Sequence, residues 1–209
     1  MKNNKLSLII TVIFFGAVWG ILEATLGYAL QFLPAFFSGL IMFPIATAIL
    51  TKAYQRTSSQ KALLMIGLVA AAIKSVNLFM PIYHWRTINP MVAIILETLL
   101  ITAVVMIIVK RSAPQQLIAI FGVSYAWRSL YLLYMGAQML ATGFVHQDIS
   151  SVQHMATFIL IYGSLSAGLA FTMVHLSHYF SAVFNRRIQI NPITAFITLL
   201  LAVVLTLFL

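Results

Sequence analysis

A chain of 209 residues that is 62% hydrophobic and only 7% charged is not an ordinary soluble domain, which carries roughly a quarter charged residues. With no cysteine, it excludes disulfides, thiolate nucleophiles and cysteine metal sites. Its formal charge of +9 would suit nucleic acid in a soluble protein, but here the basic residues stand mainly in short segments between long apolar runs. There they serve as topology signals and as contacts for anionic lipid headgroups, so the bilayer and not nucleic acid is the expected partner.

About 20 mostly apolar residues cross a bilayer. Read in chain order, the apolar segments are Leu6–Tyr28, Ala35–Thr51, Ala62–Met80, Pro90–Val109, Gln115–Ala141, Ser151–Ser181 and Pro192–Leu209. The expected fold is therefore all-α, a polytopic bundle of six to seven transmembrane helices forming one domain over residues 1–209. Asn89-Pro90 and Asn191-Pro192 each place a capping side chain before a proline at the first helical position, where its missing N–H costs nothing. Ser150 with Gln153 has the form of a capping box opening the sixth segment. The run from Leu6 exceeds the apolar core of a signal peptide and contains Trp19 and Glu23, so it reads as a retained span.

Charge then orients the chain. Lys2 and Lys5 precede the first segment; Lys52, Arg56 and Lys61 follow the second; Lys110 and Arg111 follow the fourth; Arg186 and Arg187 follow the sixth. The alternate loops hold only Arg86 and Asp148. This alternation puts the N-terminus in the cytoplasm of a multi-pass cell-membrane protein, and a seventh span would put the C-terminus outside.

Charges inside the segments are the first candidates for a site. Glu23 and Lys74 both lie roughly 8–9 Å below the expected outer boundary, at 1.5 Å rise per residue. Glu97 and Arg128 fall nearer the midplane. A charge in hydrocarbon costs at least about 2.5–3.5 kcal/mol and faces the protein interior, water or a partner. Matching depths suggest two charge layers, Glu23 with Lys74 and Glu97 with Arg128. Such pairs either hold helices together or line an outward-facing polar cavity for a small-molecule ligand. Asn77 follows Lys74 by three residues on the same helical face, Trp19 precedes Glu23 by four, and Trp127 and Tyr131 stand beside Arg128. These neighbours suit an apolar pocket with a few polar anchors, and they also suit plain packing.

The loop from Pro81 to Pro90 reads as an interfacial aromatic belt with Tyr83 and Trp85, or as a compact lid in which Arg86 attracts an anion. His175 and His178 share a helical face, but no third ligand lies near and His146 and His154 belong to the opposite side, so neither metal nor haem is expected. No H-E-x-x-H, G-x-S-x-G or Gly-rich phosphate loop is present, and an enzyme is not expected.

Gly16, Gly20 and Ala24 recur every four residues on the first segment, with Ala17 and Gly27 beside them. Such a small-residue ridge lets another helix approach closely in lipid, either within the bundle or from a partner. A compact basic protein with this topology and ridge resembles the substrate-binding S components of energy-coupling factor transporters. The resemblance implies a transmembrane coupling subunit and two ATPases as partners, a contact with that subunit through Gly16, Gly20 and Ala24, and a substrate in the outer half. Glycine replaces the family's alanine at two of the three positions, and the segment from Pro192 is additional to the family's six spans. A stand-alone transporter or channel, and a non-transporting accessory subunit, are the other functions compatible with these residues. Tags at the N-terminus and between Lys52 and Lys61 should be cytoplasmic, and a tag near His146 external. An external signal from the Lys52–Lys61 loop would overturn the orientation.

Overall fold

The computed structural model describes residues 2–30, 32–33, 36–81, 84–179 and 190–209. In lipid every backbone polar group must be satisfied within the protein, and long apolar runs meet that condition as helices. Helix α1 runs Lys2–Leu22, passes through a π turn at Glu23–Gly27 and ends with Tyr28–Leu30. Next come α2, Phe36–Thr57, and α3, Gln60–Ser75 with a 3-10 turn at Val76–Phe79. Helices α4, Trp85–Lys110, and α5, Ala113–Thr142, follow. Helix α6 starts at Val152–Ala156, widens into a π turn at Thr157–Ile161 and continues as Tyr162–Tyr179. Helix α7 is Pro192–Phe208, and no strand occurs among the described residues.

Six of these, α1 to α6, are long and apolar enough to cross a membrane. The seventh apolar segment is a helix too, but its 17 residues span only about 25 Å at helical rise. That is shorter than a hydrocarbon core of roughly 30 Å. It packs along α1.

The end signals divide. Asn191 caps α7 as its sequence predicts, accepting from the Thr194 N–H at 2.8 Å while the Thr194 hydroxyl accepts from the Asn191 N–H at 3.0 Å. At Asn89-Pro90 the expectation fails, because α4 already begins at Trp85 and Pro90 lies inside it. The Asn89 side chain is drawn across the bundle, accepting the Tyr134 hydroxyl at 2.8 Å and tying α4 to α5. The sixth helix is capped one residue later than predicted. Ser151 accepts from the His154 N–H at 3.1 Å, and Ser150 donates to the Gln147 carbonyl at 2.7 Å.

Helix α1 is sandwiched between α3 and α7; α3, α4, α5 and α6 then follow side by side, and α2 packs on α6 while reaching α4. The small-residue ridge on α1 explains the first contact. A Cβ on Gly16 would lie 2.6 Å from Val69 Cγ1, and one on Gly20 would lie 2.8 Å from Ile73 Cδ1. Ala17 is buried with Ile73 of α3 and Ala202 of α7. Of the ridge expected to meet a coupling subunit through Gly16, Gly20 and Ala24, the two glycines thus sit in an internal seam with α3, and Ala24 is buried beside the second cavity. Close packing in lipid needs small residues on one side only, and the bundle supplies its own partner helix. Gly20→Leu should therefore overpack the α1–α3 seam and lower stability by about 1–3 kcal/mol, read by thermal unfolding in detergent. A variant as stable as the parent would show that α3 does not sit on the ridge.

Candidate functional site

Two π turns shape one end of the bundle. In α1 the turn begins at Glu23 and ends at Gly27, and a Cβ at Gly27 would stand 2.9 Å from Glu23 Oε2. Glycine there leaves the room that the carboxylate fills. The Thr25 hydroxyl donates to the Ile21 carbonyl at 2.7 Å within the widened stretch. In α6 the second π turn carries Phe158 inward. Single π turns inside helices are frequent at functional sites, because one extra residue per turn re-aims a side chain.

Between these turns lies a cavity of about 490 Å³. Its deep wall includes Glu23 from α1, Met42 from α2, Glu97 from α4, Trp127 and Tyr131 from α5, and Phe158 from α6. Its mouth carries Trp85 and Arg86 from the start of α4, with His146 and Asp148 from the segment between α5 and α6. The chain has three acidic residues, and all of them line this space. Arg86, exposed at the mouth, is the one lysine or arginine among the lining residues.

Glu23 and Glu97 are only 7% and 3% exposed. Among the described residues neither carboxylate has a lysine, arginine or histidine nitrogen within 4.0 Å; the Trp19 indole N–H acts on the Glu23 carboxylate, and Glu97 accepts no hydrogen bond. Asp148 does have a partner, His146, with 3.3 Å between Nδ1 and Oδ2. The two charge layers read from depth are accordingly not contact pairs. Glu23 still feels the charge of Lys74, Glu97 that of Arg128, and the two carboxylates feel each other.

The physical reason is that Arg128 is committed to the wall and Lys74 lines a different cavity. Arg128 is fully buried in the wall; it donates to the Gly39 carbonyl and to Ser124 Oγ, each at 3.0 Å. Its guanidinium lies 4.5 Å from the Trp127 ring centroid and 5.5 Å from that of Phe158. Gly39 allows this approach, since a Cβ there would stand 3.1 Å from the Trp127 ring. Lys74 opens instead into a second, smaller cavity of about 270 Å³ with Ala24, Asn77, Thr87 and Thr206. Trp19 is fully buried, lines neither cavity, and its indole N–H acts on the Glu23 carboxylate.

The structure thus brings Glu23 and Glu97 together, sends Lys74 and Asn77 to a neighbouring space, and places Arg128 and Trp19 in the packing. The Pro81–Pro90 segment, read as an aromatic belt or as a lid, is helical from Trp85 onward, so Trp85, Arg86, Asn89 and Pro90 line the cavity from the first turns of α4. Tyr83 lies outside the described residues. Asp148 was not singled out by sequence reasoning as a site residue, although it completes a set of three acids in a chain that has only three. Met42 and Gln138 carry no comparable signal. The exposed His175 has its Nδ1 3.0 Å from the Phe171 carbonyl, the His178 side chain lies outside the described residues, and no cluster of three metal-ligating side chains occurs among those described. Comparisons with protein-family models, curated proteins and solved structures found no match.

Arg128→Met would leave the Gly39 carbonyl and Ser124 without their donor, a loss expected to cost about 1–3 kcal/mol for each group left unsatisfied. It would also strip Glu97 of its nearest compensating field, so Glu97→Gln added to it should recover part of the loss. Thermal unfolding of both single variants and the double variant should give an interaction of about 0.5–3 kcal/mol. Strict additivity would show that the two charges do not communicate.

Proposed function

We propose that this chain is the ligand-binding membrane subunit of an uptake system, holding a small molecule in the cavity between α1, α2, α4, α5 and α6. One observation carries the reading: two buried carboxylates, neither with a cation in contact among the described residues, face an open space of about 490 Å³. That volume falls within the range of about 300–1,000 Å³ typical of small-molecule sites. The mostly aromatic and aliphatic wall with a few polar anchors fits the same class. The alternation of basic loops supports an outward-facing mouth in the cell membrane, because His146 and Asp148 belong to a segment poor in lysine and arginine. The resemblance to S components of energy-coupling factor transporters supports the same function and supplies the energy through a coupling subunit and ATPases.

A second reading draws on the α1 ridge. Because α3 covers Gly16 and Gly20, a coupling subunit would need another face of the bundle, and this favours a stand-alone transporter over the partner-dependent one. Uptake by cells that express this chain with no coupling subunit separates the two.

The cavity itself is tested by filling it. Ala93 lines the space one turn before Glu97 and is not a charged anchor. Ala93→Phe should leave the protein folded in detergent while abolishing the ligand that native mass spectrometry finds on the parent purified from cells. Equal ligand retention by parent and variant would remove the cavity from the function.

A further inference from the structure

We propose that the cavity takes a planar organic monocation bearing N–H donors, seated between the carboxylates of Glu23 and Glu97. The inference rests on the cavity being the ligand site and adds the chemistry of what enters it.

Glu23 and Glu97 are acceptors when ionised, each more than nine-tenths buried; no cation of the described chain lies within 4.0 Å of either, Glu97 has no donor, and Glu23 has the Trp19 indole N–H alone. A buried carboxylate left unpaired is expensive, so a bound group that donates to both would relieve the largest unfavourable feature of the site. Anionic ligands meet the opposite situation. Lys74 and Arg128 do not line the cavity, and the Arg128 guanidinium already donates to Gly39 and Ser124. Among the described lining residues Arg86, exposed at the mouth, is the one lysine or arginine.

The wall argues for an organic cation over a bare ion. Trp127, Tyr131 and Phe158 contact one another, with centroids 5.9 Å apart for Trp127–Tyr131, 6.2 Å for Trp127–Phe158 and 6.4 Å for Tyr131–Phe158. Arg128 braces Trp127 and Phe158 and holds that corner rigid. Rings of this kind attract the face and charge of a flat cation, whereas a divalent metal ion would want more oxygen or nitrogen ligands than two carboxylates supply. Among the described residues no third metal-ligating side chain joins them. Two acids that repel each other across a shared space are best satisfied by one positive group carrying donors on two edges, as an amidinium or a protonated amino-heterocycle does.

The test uses three probes of nearly equal size and different charge: benzamidine, benzamide and benzoate. Each is titrated into the purified full-length protein in detergent, with binding read by thermal shift and calorimetry. Benzamidine should stabilise the protein and the other two should not at the same concentration. Glu97→Gln and Glu23→Gln should each weaken benzamidine by roughly tenfold or more, as loss of a charged hydrogen-bond partner does. Benzamide or benzoate binding as well as benzamidine would overturn the cationic assignment while leaving the cavity as a ligand site. Undiminished benzamidine affinity in both variants would overturn the seat between the two carboxylates. No response to any of the three would count against the inference and the ligand site together. The probe comparison is made on the parent protein, so it stands even if a variant fails to fold.

Discussion

Burying an ionisable side chain in a membrane bundle is costly, and the way this chain meets that cost shapes everything around it. Arg128, wholly inaccessible, is met by a backbone carbonyl of α2, a hydroxyl of its own helix and two aromatic faces. That set of contacts joins α2, α5 and α6 around one group. It also fixes Trp127 and Phe158, which in turn form the apolar wall beside Glu97. The cation stabilises the scaffold, and the acids are left facing the cavity.

The backbone is adapted to the same end. Both π turns contribute a side chain to the cavity, Glu23 from α1 and Phe158 from α6. A widened turn redirects a residue without ending the helix, which matters where an unsatisfied backbone group would meet lipid. Gly27 and Gly39 act at close approaches, the first beside the Glu23 carboxylate and the second beneath the Trp127 ring. Function and packing therefore draw on the same few positions.

Much of the architecture was legible because hydrophobic length is a local property. The six long apolar helices, and the Asn191 cap of α7, follow from runs and punctuation that need no tertiary information. Partners were less legible. Depth along a helix is one coordinate, and it placed Glu23 level with Lys74 and Glu97 near Arg128; it says nothing of which way a side chain points around the axis. Lys74 points to a different cavity, and Arg128 is claimed by α2. Asn89 shows the same limit, since a residue with the signature of a cap was recruited by Tyr134 from another helix. The small-residue ridge correctly marked a close helix approach, but whether the partner is internal depends on the fold, and here it is α3.

The central claim is that Glu23 and Glu97 together make the cavity attract positive charge, and the proposed orientation opens it to the outside. The natural absence of cysteine makes this directly measurable. A single cysteine at Ala93 keeps both carboxylates and places a thiol on the cavity wall. In intact cells it can be challenged with membrane-impermeant methanethiosulfonate reagents, one carrying a quaternary ammonium and one a sulfonate. The account predicts labelling from outside, with the cationic reagent reacting faster than the anionic one relative to their rates with a free thiol. An unreactive thiol, or faster reaction with the sulfonate, would contradict it.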